Sequence, residues 1–148
     1  MFQGAAALNL DNKGRLAIPS RHRDALTAAA NGMLVLTAHP HHCLLVFPVA
    51  GWEVFRTTVL SKPSLDPRSA AMKRLFVGHA REETLDAAGR VLVAPELRDW
   101  AGLEKQVWLV GLGSHFELWS DARWKEQQAQ MDALGDQPLP PGFEDLVL

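Results

Sequence analysis

Apolar residues along the chain fall into short runs of alternating or continuous hydrophobicity, broken by Gly, Pro, Asn and Asp. Runs of this length with such flanks read as strands, and longer runs at 3.6-residue spacing read as helices. The pattern predicts a strand over 5–10, a turn over 11–15 and a second strand over 15–18. Gly14 supplies the positive φ that a hairpin turn there would need. Pro19 opens a helix to residue 30, where Asn31-Gly32 forms a left-handed stop. Strands over 33–37 and 43–47 follow, joined by a His- and Pro-rich turn, and a helix over 49–60 ends the unit. After a linking helix that starts at Asp66-Pro67 and ends at Gly78, the same order returns. Strands over 81–85 and 90–93 precede a helix over 95–101 closed by Gly102. Strands over 106–110 and 115–119 flank a Gly-rich turn, and Ser120 caps a helix to residue 134.

The similarity of the two halves extends to the residues themselves. Leu10-Asp11-Asn12-Lys13-Gly14-Arg15-Leu16-Ala17-Ile18 aligns with Leu85-Asp86-Ala87-Ala88-Gly89-Arg90-Val91-Leu92-Val93, and Arg23-Asp24 aligns with Arg98-Asp99 at the same offset. Farther on, Leu44-Leu45-Val46-Phe47 aligns with Phe116-Glu117-Leu118-Trp119, and Trp52 with Trp124. One small unit therefore occurs twice, over 1–60 and 79–134, with the linking helix over 61–78 and an irregular, acidic tail over 135–148. Strands this short are weak alone. Two copies can intertwine around one apolar core, with Trp108 and Trp119 inside it and Trp52, Trp100 and Trp124 packing helices onto it.

Composition narrows the function classes. Hydrophobic residues make up 47% of the 148 and charged residues 22%, which is ordinary for a globular chain. No apolar stretch is long enough for a membrane span, and the first residues lack the pattern of a secretion signal. Cys43 is the single cysteine, so no internal disulfide can form. These features favour the cytoplasm. The net charge of −2 gives no overall basic footprint for nucleic acid. Its distribution is uneven: Lys13, Arg15, Arg21 and Arg23 crowd the beginning, whereas Asp132, Asp136, Glu144 and Asp145 crowd the end.

The doubled Asp-x-x-Gly-Arg turn carries the most chemistry. Asp accepts backbone N–H bonds at the start of a turn, and Gly takes up the awkward backbone angle. That accounts for Asp11, Gly14, Asp86 and Gly89, but turn geometry has no use for a guanidinium at the same place twice. Arg15 and Arg90 either pair with the Asp of their own loop or face outward to a phosphate or a base edge, the targets Arg suits best.

These turns, with Met1-Phe2-Gln3-Gly4, Leu75-Phe76-Val77-Gly78-His79-Ala80 and Phe116-Glu117-Leu118-Trp119, resemble the MraZ family over nearly the whole chain. The resemblance implies an α+β fold of two tandem swapped-hairpin AbrB-like βαβ units, forming a small β-barrel-like core with flanking helices. It implies a homo-oligomeric ring, most often an octamer. It also implies a repressor associated with the nucleoid, bound to double-stranded DNA at direct repeats in the promoter of the division and cell-wall gene cluster, which includes its own gene. The family's DNA-contact motif falls on Asp11 and Arg15 and again on Asp86 and Arg90, with Lys13 inside the first loop. The chain departs from the family pattern at Gln3, where a basic residue is frequent, and at Ala87-Ala88. The first loop is therefore expected in the more positive field, with Lys13 inside it and Arg21 and Arg23 on the next helix. The second has Glu96 and Asp99 beside Arg98.

Other chemistry finds less support. His39, His41, His42 and Cys43 cluster, but no second group stands at ligand spacing, so no metal is expected. His22 and His79 read as packing or surface residues. No nucleophile–base arrangement or nucleotide-binding loop is recognisable, so neither an enzyme nor a cofactor is expected. A module whose acidic tail occupies a partner protein remains an alternative to the DNA-binding reading.

Overall fold

The computed structural model describes residues 1–147. In chain order the first half contains β1 (Phe2–Asn9), β2 (Arg15–Ala17), α1 (Ser20–Ala30), β3 (Met33–His39), β4 (Cys43–Pro48) and α2 (Val49–Leu60). The connecting α3 (Pro67–Phe76) leads to β5 (Arg81–Thr84), β6 (Arg90–Leu92), α4 (Pro95–Ala101), β7 (Gln106–Gly113), β8 (Phe116–Ser120) and α5 (Asp121–Ala133). The local signals act as expected. Asn31 and Gly102 close their helices in the left-handed conformation, while the side chains of Asp66 and Ser120 accept N–H bonds from Arg68 and Arg123. Among the described residues the exposed tail holds one 3₁₀ turn, Leu134–Asp136.

The strand order shows how the two units combine. One antiparallel sheet runs β1-β7-β8-β4-β3-β5, and β2 pairs with β6 in a separate two-stranded ribbon. Each unit thus sends its first strand into the other unit's half of the sheet. The hairpin expected at each loop does not form as a ladder. β1 and β2 touch only through a lone bridge between Leu10 and Leu16, and both then pair with strands of the second unit. The exchange seals Leu16 and Val91, directly opposite each other, at 0% and 1% exposure. Leu45 likewise pairs with its counterpart Glu117. Equivalent residues facing one another at both places mark a pseudo-two-fold axis through the ribbon and the sheet.

Alternation assigns the two sheet faces. Leu34, Leu36, Leu44, Val46, Val107, Leu109, Phe116 and Leu118 point inward to a core shared with Leu16, Ile18, Leu26, Val91, Val93 and Leu97. The opposite face carries Val35, Leu45 and Phe47 under Trp52 of α2, and Cys43 and Trp119 under Trp124 of α5. Trp108 and Trp119 therefore sit outside the shared core, contrary to expectation. Their in-register neighbours occupy the inward positions, and the two indoles pair across β7 and β8 on the outer face. There Trp108 stacks on Trp124 and donates to Asp121 at 3.0 Å. Trp52, Trp100 and Trp124 do pack helices, as expected, and Trp100 also donates to the His39 carbonyl at 2.8 Å.

The β1–β7 seam tolerates no extra atoms at Gly111. A Cβ there would lie 2.5 Å from the Gln3 nitrogen and 2.8 Å from its Cα. Gly111→Ala must therefore push apart the strand pair that stitches the units together. We expect a loss of about 1–3 kcal/mol, the usual penalty for overpacking, seen as a lower urea midpoint. An unchanged midpoint would show that the seam relaxes freely.

Candidate nucleic-acid interface

Each loop is organised by one carboxylate. Asp11 Oδ1 accepts the backbone N–H groups of Lys13 and Arg15, both at 2.9 Å, while Oδ2 accepts Arg15 Nε at 2.8 Å. Asp86 repeats the pattern, accepting from Ala88 at 3.0 Å, Arg90 N–H at 2.8 Å and Arg90 Nε at 2.9 Å. The three bonds favour the ionised acid, so the Asp11 carboxyl is held down at about 2, chiefly by the Arg15 N–H, and that of Asp86 is lowered by the same contacts. Each arginine pairs with the Asp of its own loop, through Nε, which leaves the Nη edge outside that contact. Among the described residues the Arg15 Nη atoms form no hydrogen bond, and Arg90 Nη1 lies 3.9 Å from Asp11 Oδ2.

The ribbon brings the two loops side by side. In its register Arg15 faces Leu92 and Ala17 faces Arg90, so these four share the outer face while Leu16 and Val91 close the core. Backbone bonds lock the loops to the opposite unit: Val93 N–H donates to Gly14 O at 2.8 Å and Ile18 N–H to Gly89 O at 2.9 Å. Gly14 and Gly89 adopt φ of 78° and 75°, as the turn requires.

These glycines serve a second purpose that the turn pattern did not suggest. A Cβ on Gly14 would come within 2.7 Å of the Arg98 guanidinium carbon, and one on Gly89 equally close to that of Arg23. Each loop thus rests on an arginine from the other unit. Arg23 Nε donates to Ile18 O at 2.5 Å, whereas the buried Arg98 Nε has no partner among the described residues. The signal was present in the sequence, since Arg23 and Arg98 repeat at the spacing of the loops. The exchange also revises the expected field. Arg23 lies under the second loop and Arg98 under the first, so each loop has one supporting arginine, and within the loops the charge difference is Lys13 against Ala88.

The histidines are taken up in packing. His42 stacks on Trp100 with ring centroids 4.2 Å apart, and His39 Nδ1 accepts the His41 N–H at 3.0 Å. His22 is buried edge-on against Phe116, and His79 lies 3.1 Å from the Leu75 carbonyl. Among the described residues no group of three His, Cys, Asp or Glu could hold a metal ion, and no helix is long and apolar enough to cross a membrane.

The family model for the MraZ protein, described as antitoxin-like, matches residues 1–75 and then 76–137. The chain belongs to the MraZ family. It is 64% identical to a protein of Aromatoleum aromaticum, 62% to one of Azoarcus sp. and 61% to one of Dechloromonas aromatica, each over 100% of both chains. All three carry the name transcriptional regulator MraZ. The two matched segments meet within α3, and the strand exchange joins them into one sheet.

The lowered carboxyls make the loops acid-resistant. Because the folded Asp11 titrates at about 2 against an ordinary 3.8, its stabilising contribution is complete above about pH 5 and drains away as pH falls through 3.8 toward 2. Carboxyl-carbon NMR should place the Asp11 transition near 2. A midpoint at the ordinary value would mean that the loop hydrogen bonds do not persist in solution.

Proposed function

We propose that the chain is a DNA-binding transcriptional regulator, non-enzymatic and cytoplasmic, whose β2–β6 ribbon is the reading surface. The observation that carries this is the outer face of the ribbon, with two arginines oriented by carboxylates through Nε. A two-stranded ribbon fits the major groove, and a guanidinium held on one edge can offer the other to guanine. The names of its relatives support the same reading. Arg15 and Arg90 are the proposed base readers. Asp11 and Asp86 orient them, Gly14 and Gly89 shape the turns, and Lys13 contacts phosphate.

The finer reading is repression at direct repeats upstream of the division and cell-wall gene cluster and of its own gene, by a nucleoid-associated ring of eight copies. It rests on the family resemblance and on physical need. One loop pair offers few cations on a chain of net charge −2. Joining copies on one particle makes later contacts intramolecular and can raise avidity by ~10²–10⁴. A groove of about 530 Å³ on the outer sheet face, edged by Phe47, Val54, Phe55 and Phe76, suits such self-association.

Gel shifts on DNA from upstream of its own coding region test the reading. Arg15→Ala should remove most specific binding, at about 1–3 kcal/mol per lost base contact and multiplied by the number of copies. Lys13→Ala should weaken all sequences alike and reduce the salt slope, as loss of a phosphate contact does. Arg90→Ala should be milder than Arg15→Ala, since its loop lacks a lysine. Wild-type binding by both arginine variants would remove the ribbon from consideration. Light scattering should give a mass well above a dimer, and a monomer at micromolar concentration would refute the ring.

A further inference from the structure

The ribbon's outer face contains more than arginines. Leu92 is a large apolar side chain 39% exposed, and it stands directly opposite Arg15. Its counterpart by the internal repeat is Ala17, which stands opposite Arg90. Core packing does not explain Leu92, because Val91 and Val93 on either side supply the inward contacts. Nor does the turn require it, since the loop's hydrogen bonds end at Arg90. The two ends of the ribbon therefore match in their arginines and differ in the apolar group beside them.

Accepting the ribbon as the DNA-reading surface, we propose that Leu92 is a specificity-determining residue that packs on the 5-methyl group of thymine. Facing residues of an antiparallel pair have Cα atoms about 4.5–5.5 Å apart, and bases along a strand rise by about 3.4 Å. With Arg15 on a guanine, Leu92 reaches the neighbouring one or two base pairs. There the thymine methyl is the one apolar feature of the major-groove edge. Ala17, beside Arg90, is too short for an equal contact. This difference gives the pseudo-symmetric ribbon a preferred direction along DNA, which a surface reading tandem direct repeats needs and a surface reading palindromes does not.

The test uses the full-length protein and the DNA upstream of its own coding region, prepared once with thymine and once with deoxyuridine in every thymine position. Deoxyuridine keeps the pairing and removes only the methyl. Wild type should bind the thymine DNA roughly fourfold more tightly per chain, the change that about 0.8 kcal/mol for one buried methylene-sized group gives. Leu92→Ala should weaken binding to thymine DNA and abolish the difference between the two DNAs. Leu92→Met, which keeps an apolar reach, should restore it. Circular dichroism and light scattering on each variant verify fold and assembly. Equal binding of both DNAs by wild type, or an undiminished difference in Leu92→Ala, would overturn the role of Leu92 while leaving the arginine ribbon standing. Failure of wild type to prefer this DNA over a scrambled fragment would instead overturn the DNA-reading surface, and the role of Leu92 with it.

Discussion

Much of the structure depends on the antiparallel contact between Leu16 and Val91. It is three residues long on each side, and it closes the apolar core from beneath while presenting the loops above. Neither strand could bury its apolar residue within its own unit, because β1 and β5 have left for the opposite half of the sheet. Burial of a side chain of this size contributes on the order of 1.5–3 kcal/mol. The same pairing thus stabilises the fold and fixes the distance between the two arginines.

Above that contact, rigidity is passed outward by hydrogen bonds. The carboxylates of Asp11 and Asp86 each gather two backbone N–H groups and one guanidinium nitrogen. Arg98 and Arg23, arriving from the other unit, fill the space that a side chain at Gly14 or Gly89 would take. A loop held on both sides loses little conformational freedom when it meets a ligand, so more of each contact remains as affinity.

Periodicity and turn chemistry made most elements legible, because Pro, Gly, Asn and Asp act locally. The helix over 49–60 and the short helix before Gly102 follow from such signals alone. The loop residues were legible because they repeat. Partner choice was not: nothing local tells β1 to pair with β7 rather than with β2. The misplacement of Trp108 and Trp119 has the same origin. A run such as Gln106–Gly113 alternates without stating which face is the shared one, and only the position of β1 and β8 beside it decides. The supporting arginines were missed because their contacts lie across the exchange.

The exchange also sets an order of events during synthesis. Phe2 is made well before its partner in the sheet, Gly113. At about 5–20 residues per second, β1 emerges on the order of 5–20 s before the strand it must join. Until β6 and α4 are made, the first loop exists without the strand opposite Arg15 and without its supporting arginine. A chain interrupted anywhere before β7 has no edge for β1, whatever the quality of its first half. The reading surface therefore waits for the second unit: β6, Arg98 and β7 must all follow the first loop before ribbon and seam can both close.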